Sequence, residues 1–192
     1  MSSAQSSRTV RQVVLAGLFA AVVAALGMVP PLTLPISPVP ITLQTLGVML
    51  AGSLLGRRTG GLALLVFLVL LVAGVPVLAG GRGGAGYLFG PSGGYILSWP
   101  LAAYTIGWLV ERVPPGRFWG YLVANVVGGI LLVYLIGAPV LALVTGRTFK
   151  EALVGGALIF VPGDLLKALV ASAVAVQVRR RYAPGRAEDR AA

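Results

Sequence analysis

No charged residue occurs between Val13 and Leu55, and none between Thr59 and Gly81. A helix of about 20 mostly apolar residues matches the hydrocarbon thickness of a bilayer, so charge-free runs of this length are candidate membrane spans. With 57% hydrophobic and only 10% charged residues, the chain reads as an all-α integral membrane protein. Removing two short polar ends, 1–9 and 179–192, leaves room for six spans in one membrane domain over 1–192, at 11–28, 41–56, 60–79, 93–111, 118–143 and 162–178.

The net charge of +10 raises nucleic acid as a partner, but the arginines stand in small groups between apolar segments, as a membrane topology signal does. With the N-terminus inside, Arg8, Arg11, Arg57, Arg58, Arg112, Arg117, Arg179, Arg180, Arg181, Arg186 and Arg190 fall in the cytoplasm, against Arg82, Arg147 and Lys150 outside. The positive-inside rule therefore places both termini in the cytoplasm of a multi-pass cell-membrane protein. A signal peptide is the weaker reading of Met1 to Gly27, since no polar mature domain follows. No cysteine and no histidine occur, which closes thiolate and imidazole routes to metal binding and catalysis. No metal, cofactor or enzymatic activity is expected of the chain.

Two loops stand out. Pro30, Pro31, Pro35, Pro38 and Pro40 make Val29 to Ile41 an extended or turning segment. Further on, Gly80-Gly81-Arg82-Gly83-Gly84 and Gly90-Pro91-Ser92-Gly93-Gly94 bracket Ala85 to Phe89. Neither cluster matches the phosphate-loop pattern, and no β-α-β context surrounds them. They read as a flexible external loop or as one folded over a cavity. Arg82 either meets an anionic ligand or marks the outer surface.

Of the five acids, Glu111, Glu151, Glu188 and Asp189 fall at segment ends or in the tail, and Asp164 alone lies well inside an apolar region. Lys167 follows three residues later, on the same helical face. Each ionisable group in hydrocarbon costs roughly 2.5–3.5 kcal/mol on insertion scales, so such groups mark functional sites by default. Pro162 fits the first turn of a helix, where its missing N–H is not needed, and Asp164 then meets the positive end of the helix dipole. From Pro162 to Val178 such a helix runs about 26 Å, which places the Asp164/Lys167 face toward the outer side. Phe149 to Ile159 becomes a separate short helix or lid-like segment outside it. An internal ion pair, or a capping acid with a snorkelling lysine, is the purely structural account. Proton or sodium coupling normally needs more than one intramembrane acid. A ligand site fits the pair better, because it offers an acceptor for N–H groups and a donor for a carbonyl or carboxylate, as a small polar heterocycle with an apolar body requires.

The first span carries two small-residue tracks, Ala16/Ala20/Ala24 and, beside it, Gly17/Ala21/Ala25. Such tracks let helices approach closely in lipid, either within the protein or against another membrane subunit. No ATP-hydrolysing motif is present, so an ATP-driven role would need partner subunits.

Three motifs resemble the BioY family, the biotin-capturing S components of energy-coupling factor transporters. They are PVPITLQTLGVMLAG over Pro38 to Gly52, AGGRGG over Ala79 to Gly84 with GPSGGY over Gly90 to Tyr95, and FVPGDLLKA over Phe160 to Ala168. They occur in the family's order and spacing, and the resemblance covers residues 10 to 180. It implies a six-helix membrane protein that binds biotin from the outer side and works with a transmembrane T subunit and two cytoplasmic ATPases. It implies ligand-binding roles for Asp164 and Lys167, and adds Arg82, Gln44 and Tyr95 through the loop motifs. It also implies T-subunit docking through Ala16, Ala20 and Ala24. A scaffold that binds no solute and a carrier acting without ATPases are the competing functions.

Overall fold

The computed structural model describes residues 3–181 apart from Pro115, with side chains described from Thr9 onward; Arg186, Arg190, Glu188 and Asp189 lie outside these residues. It is helical throughout, with two isolated antiparallel bridges and no named strand among the described residues. Helix α1 (Ser3–Gly27) leads through the proline-rich segment to α2 (Gln44–Val72). A short 3-10 helix (Ala85–Phe89) precedes α3 (Gly93–Val110). Helices α4 (Phe118–Val126) and α5 (Leu132–Thr145) flank a π-helical turn at Val127–Leu131. The short α6 (Phe149–Gly156), a 3-10 turn (Leu158–Phe160) and α7 (Val161–Arg181) complete the chain.

Helix α2 is two limbs, 44–55 and 57–72, joined at Gly56 with φ 78° and ψ −179°. A side chain would be strained at that positive φ. The limbs fold back on each other: a Cβ built on Gly60 would lie 2.8 Å from the Ala51 carbonyl oxygen, whereas nine residues along a straight helix span about 13 Å. Helix α3 crosses the bend so closely that a Cβ on Gly107 would approach Arg57 N to 2.2 Å. Glu111 closes the bend, accepting from the Arg57 backbone N–H at 2.9 Å and pairing with its guanidinium at 3.3 Å.

Two expected boundaries shift. The expected span 60–79 ends at Val72, because Gly74 takes φ 90° and Pro76 follows, and the residue before a proline disfavours helix. The expected span 41–56 begins only at Gln44, since Ile41 pairs through its backbone with Leu32. Helix α6 does form its own short element, opened by a Thr148/Glu151 capping box.

Among the described residues, four helical stretches are long and apolar enough to cross a membrane: Thr9–Gly27, Gln44–Val72, Phe118–Thr145 and Phe149–Arg181. The second of these contains the Gly56 bend. The outward faces carry Val14, Leu18, Val69, Leu135, Leu143 and Leu166, an apolar girdle suited to acyl chains and out of place in water. Inside, Asn125 links three helices. Its Oδ1 accepts from Ser53 at 3.0 Å and its Nδ2 donates to Ser172 at 2.9 Å. Arg57, Arg112, Arg117 and Arg180 gather at one end, where Arg57 meets Glu111 and Arg180 donates to the Gly116 carbonyl.

Candidate functional site

At the other end the proline-rich segment, the Arg82 loop, α3, α5 and the start of α7 enclose a cavity. Asp164 and Lys167 form part of its wall. Some 22 Å of α7 separate Asp164 from Arg179 at the basic end, at 1.5 Å per residue.

Asp164 and Lys167 are 5% and 8% exposed and paired at 2.7 Å. Two ionised groups buried this deeply persist only when their remaining hydrogen-bonding positions are satisfied. The lysine ammonium also donates to the Thr42 carbonyl at 2.7 Å and to Thr45 Oγ1 at 3.0 Å, so its three donors are all occupied. Asp164 Oδ1 accepts from Lys167 and, at 3.3 Å, from the Thr45 hydroxyl. Its Oδ2 accepts from the Tyr134 hydroxyl at 2.5 Å. A carboxylate has about four acceptor positions, and the one left over is on Oδ2. The pair therefore presents a charged acceptor to the cavity, held rigid by α2 and α5. Lys167 also lines the cavity, with its three donors already paired to protein acceptors.

The other expected site residues also line the cavity, but two have their polar atoms occupied. The Gln44 amide donates to the carbonyls of Val23 at 3.2 Å and Val77 at 2.9 Å and accepts from Ala79 N–H at 3.1 Å. It ties α1 and the Arg82 loop to α2. The Tyr95 hydroxyl donates to the Gly156 carbonyl at 2.6 Å, joining α3 to α6. Arg82 donates through Nε to the Ala79 carbonyl at 2.8 Å and lies 5.7 Å from the Tyr87 ring centroid. No described residue accepts from its terminal nitrogens.

Thr42, Thr45, Tyr134 and Trp99 were not singled out by the sequence. The two threonines lie inside the first motif, which could have pointed to them. Tyr134 and Trp99 look like ordinary apolar-helix aromatics until the partners of their polar atoms are known.

The small-residue docking expectation needs correction. Ala16 and Ala20 are fully buried, with Ala24 packed against the same core, because α1 lies on the first limb of α2 where Gly47 faces Val23 and Leu26. The neighbouring track of Gly17, Ala21 and Ala25 is exposed, and nothing lies within 4 Å of a Cβ built on Gly17.

An all-helical, multi-pass membrane protein whose described residues enclose a largely apolar cavity with a buried ion pair in its wall has the architecture of a solute-binding membrane protein. The chain belongs to the BioY family, whose model matches residues 1–184. It is 43% identical to the biotin transporter BioY of Rhizobium etli over 92% of this chain and 98% of that one. It is 44% identical to the probable biotin transporter BioY of Bacillus subtilis, over 84% and 86% of the two chains. The crystal structure of the S-component for biotin from an ECF-type ABC transporter superposes with a TM-score of 0.86 at 32% identity, covering 94% of this chain and 95% of that one. These relatives are transporter components and not enzymes.

Proposed function

We propose that the chain is the biotin-capturing membrane subunit of a vitamin uptake system, binding biotin in this cavity from the outer side. The observation that carries the proposal is the free Oδ2 acceptor position of a rigidly held Asp164 in a largely apolar cavity. Biotin's ureido ring presents two N–H donors, while its thiophane ring and valeryl chain are apolar, so ring and cavity are complementary. Arg82, in the wall of the same cavity, supplies paired donors for the valerate.

On this reading the chain is one membrane domain in the cell membrane, with six crossings. These are α1, the two limbs of α2, α3, α4 with α5, and α7. The cluster of Arg57, Arg112, Arg117 and Arg179–Arg181 at the end opposite the cavity supports cytoplasmic termini. The chain needs no cofactor. Inward delivery requires an energy-coupling module of a transmembrane T subunit and two cytoplasmic ATPases, since the sequence holds no ATP-binding motif. The exposed Gly17/Ala21/Ala25 face of α1 suits the close approach of a T-subunit helix.

The test is calorimetry on the detergent-purified chain, with riboflavin and thiamine as controls. One saturable biotin site and no heat from the other two is the expected result. A scaffold would give no biotin binding, and a self-sufficient carrier would move biotin into liposomes that contain no ATPase.

A further inference from the structure

The described residues form a second pocket at the basic end, lined by Gln12, Leu55, Arg57, Arg58, Thr59 and Glu111. Its place is set by the Gly56 break, where the second limb of α2 starts. The start of a helix carries the positive end of its dipole, with N–H groups that no preceding turn satisfies. Glu111 takes one of them, the Arg57 N–H at 2.9 Å, along with the Arg57 guanidinium at 3.3 Å. Arg58 is exposed, and no described residue accepts from its guanidinium.

A helix start alone defines no ligand, but Thr59 points to one. The residue is 7% exposed, and its hydroxyl has no partner among the described residues. Helical hydroxyls can bond back to the carbonyl four residues earlier, as Thr145 does to Leu141 at 2.7 Å and Ser172 to Ala168 at 2.6 Å. Four residues before Thr59 is Leu55, across the Gly56 break. Nor is the hydroxyl sealed in: the fully enclosed, unpartnered side-chain atoms are Trp99 Nε1 and the Tyr121 hydroxyl. The open side that Thr59 keeps is the pocket's. Gln12, from α1, adds an amide with no partner of its own among the described residues.

Two guanidiniums against one carboxylate leave the pocket one net positive charge. A phosphodiester carries one negative charge and matches it, whereas a monoester carries about −1.5 to −2 at neutral pH and sets the excess against Glu111. Beside Gln12, α1 exposes Val10, Val13 and Val14, a track for acyl chains. We propose that this pocket binds the phosphodiester of an anionic phospholipid from the leaflet at the basic end. Arg58, Thr59 and Gln12 donate to the phosphate, and the chains lie along α1. Basic side chains near a bilayer attract anionic headgroups in any case; the buried hydroxyl distinguishes a site from a charged patch.

The test follows the melting midpoint of the detergent-purified full chain against dioctanoyl phosphatidylglycerol, dioctanoyl phosphatidylcholine and inorganic phosphate. Phosphatidylglycerol is expected to raise the midpoint saturably at concentrations where the other two leave it unchanged. Thr59→Val removes the hydroxyl at similar size and should raise the half-saturating concentration about two- to tenfold, with Thr59→Ser restoring it. Arg58→Gln should raise it about fivefold. Arg112→Gln, which removes a charge at the same end but outside the pocket, should raise it less. Because Arg58 is exposed, its variant decides the matter if Thr59→Val fails to fold. Equal losses for Arg58→Gln and Arg112→Gln, or none for a folded Thr59→Val, would reduce the binding to general surface charge. An equal shift by phosphatidylcholine would make it apolar adsorption, and an equal shift by inorganic phosphate would assign the pocket to a free anion. Each of these results overturns the proposal, as does the absence of a saturable shift in wild type.

Discussion

The Tyr134 hydroxyl donates to Asp164 Oδ2 at 2.5 Å, linking α5 to α7 across the wall of the cavity. That bond, with the Lys167 and Thr45 bonds to Oδ1, fixes the carboxylate plane and leaves one acceptor direction open. A ligand N–H therefore meets a pre-aimed charge, with no reorientation cost at binding.

Asp164→Asn keeps the side chain's shape but removes the charge-assisted acceptor, and is expected to weaken biotin binding about ten- to a hundredfold. It also strands the buried Lys167 ammonium, so its melting temperature falls. Replacing both partners, as Asp164→Asn with Lys167→Met, should recover stability relative to the single variant while leaving binding weak, because breaking a buried pair costs more than deleting it. Thermal melts and biotin titrations on wild type, the single and the double variant check both halves. A single variant as stable as wild type would contradict the buried-pair account.

Gln44 has its amide N–H and carbonyl committed within the protein, so it is expected to hold the cavity together and not to read the ligand. Gln44→Met removes three hydrogen bonds of about 0.5–1.5 kcal/mol each, and the chain should lose roughly 2–4 kcal/mol of stability. Biotin and desthiobiotin should then weaken by the same factor. A ligand-dependent loss, seen by titrating both into the variant, would return Gln44 to the contact residues.

The ion pair was legible in the sequence because charge in hydrocarbon is rare enough to stand out singly. Gln44 and Tyr95 were named by their motifs and line the cavity, yet what their polar atoms bind was not legible. Which atom a side-chain amide or hydroxyl satisfies depends on chain brought together from 35 and 61 residues away. Trp99 was invisible for the same reason: an unpaired N–H is a property of its surroundings. On α1 the tracks Ala16/Ala20/Ala24 and Gly17/Ala21/Ala25 share one period and differ by one position, so sequence alone could not say which of them α2 would cover. The end of the second α2 limb was overrun because Val75 to Leu78 stays apolar after the helix has stopped at Gly74 and Pro76.

Arg82 is expected to read the valerate charge. Arg82→Ala should weaken biotin about tenfold or more, as for a hydrogen bond to a charged group, and should weaken biotin amide much less. Four affinities, two ligands against two proteins, form the cycle that isolates the contact. Equal losses for both ligands would leave Arg82 a loop residue held by the Ala79 carbonyl and the Tyr87 ring.

The exposed and buried tracks of α1 should separate transport from folding. Gly17→Leu, at an open position, is expected to impair ATP-driven uptake while biotin binding to the isolated chain persists. Ala20→Leu, at a fully buried one, should cost about 1–3 kcal/mol of stability by overpacking. Uptake assays in cells carrying the coupling subunits, alongside melts of the purified variants, give the comparison. Normal uptake with Gly17→Leu would move the docking surface off this face.

The structure of the chain with biotin bound tests the central claim most directly. The account predicts the bicycle in this cavity, with a ureido N–H within hydrogen-bonding distance of Asp164 Oδ2 and the valerate beside Arg82. Biotin bound outside this cavity, or reversed with its carboxylate against Lys167, would contradict it.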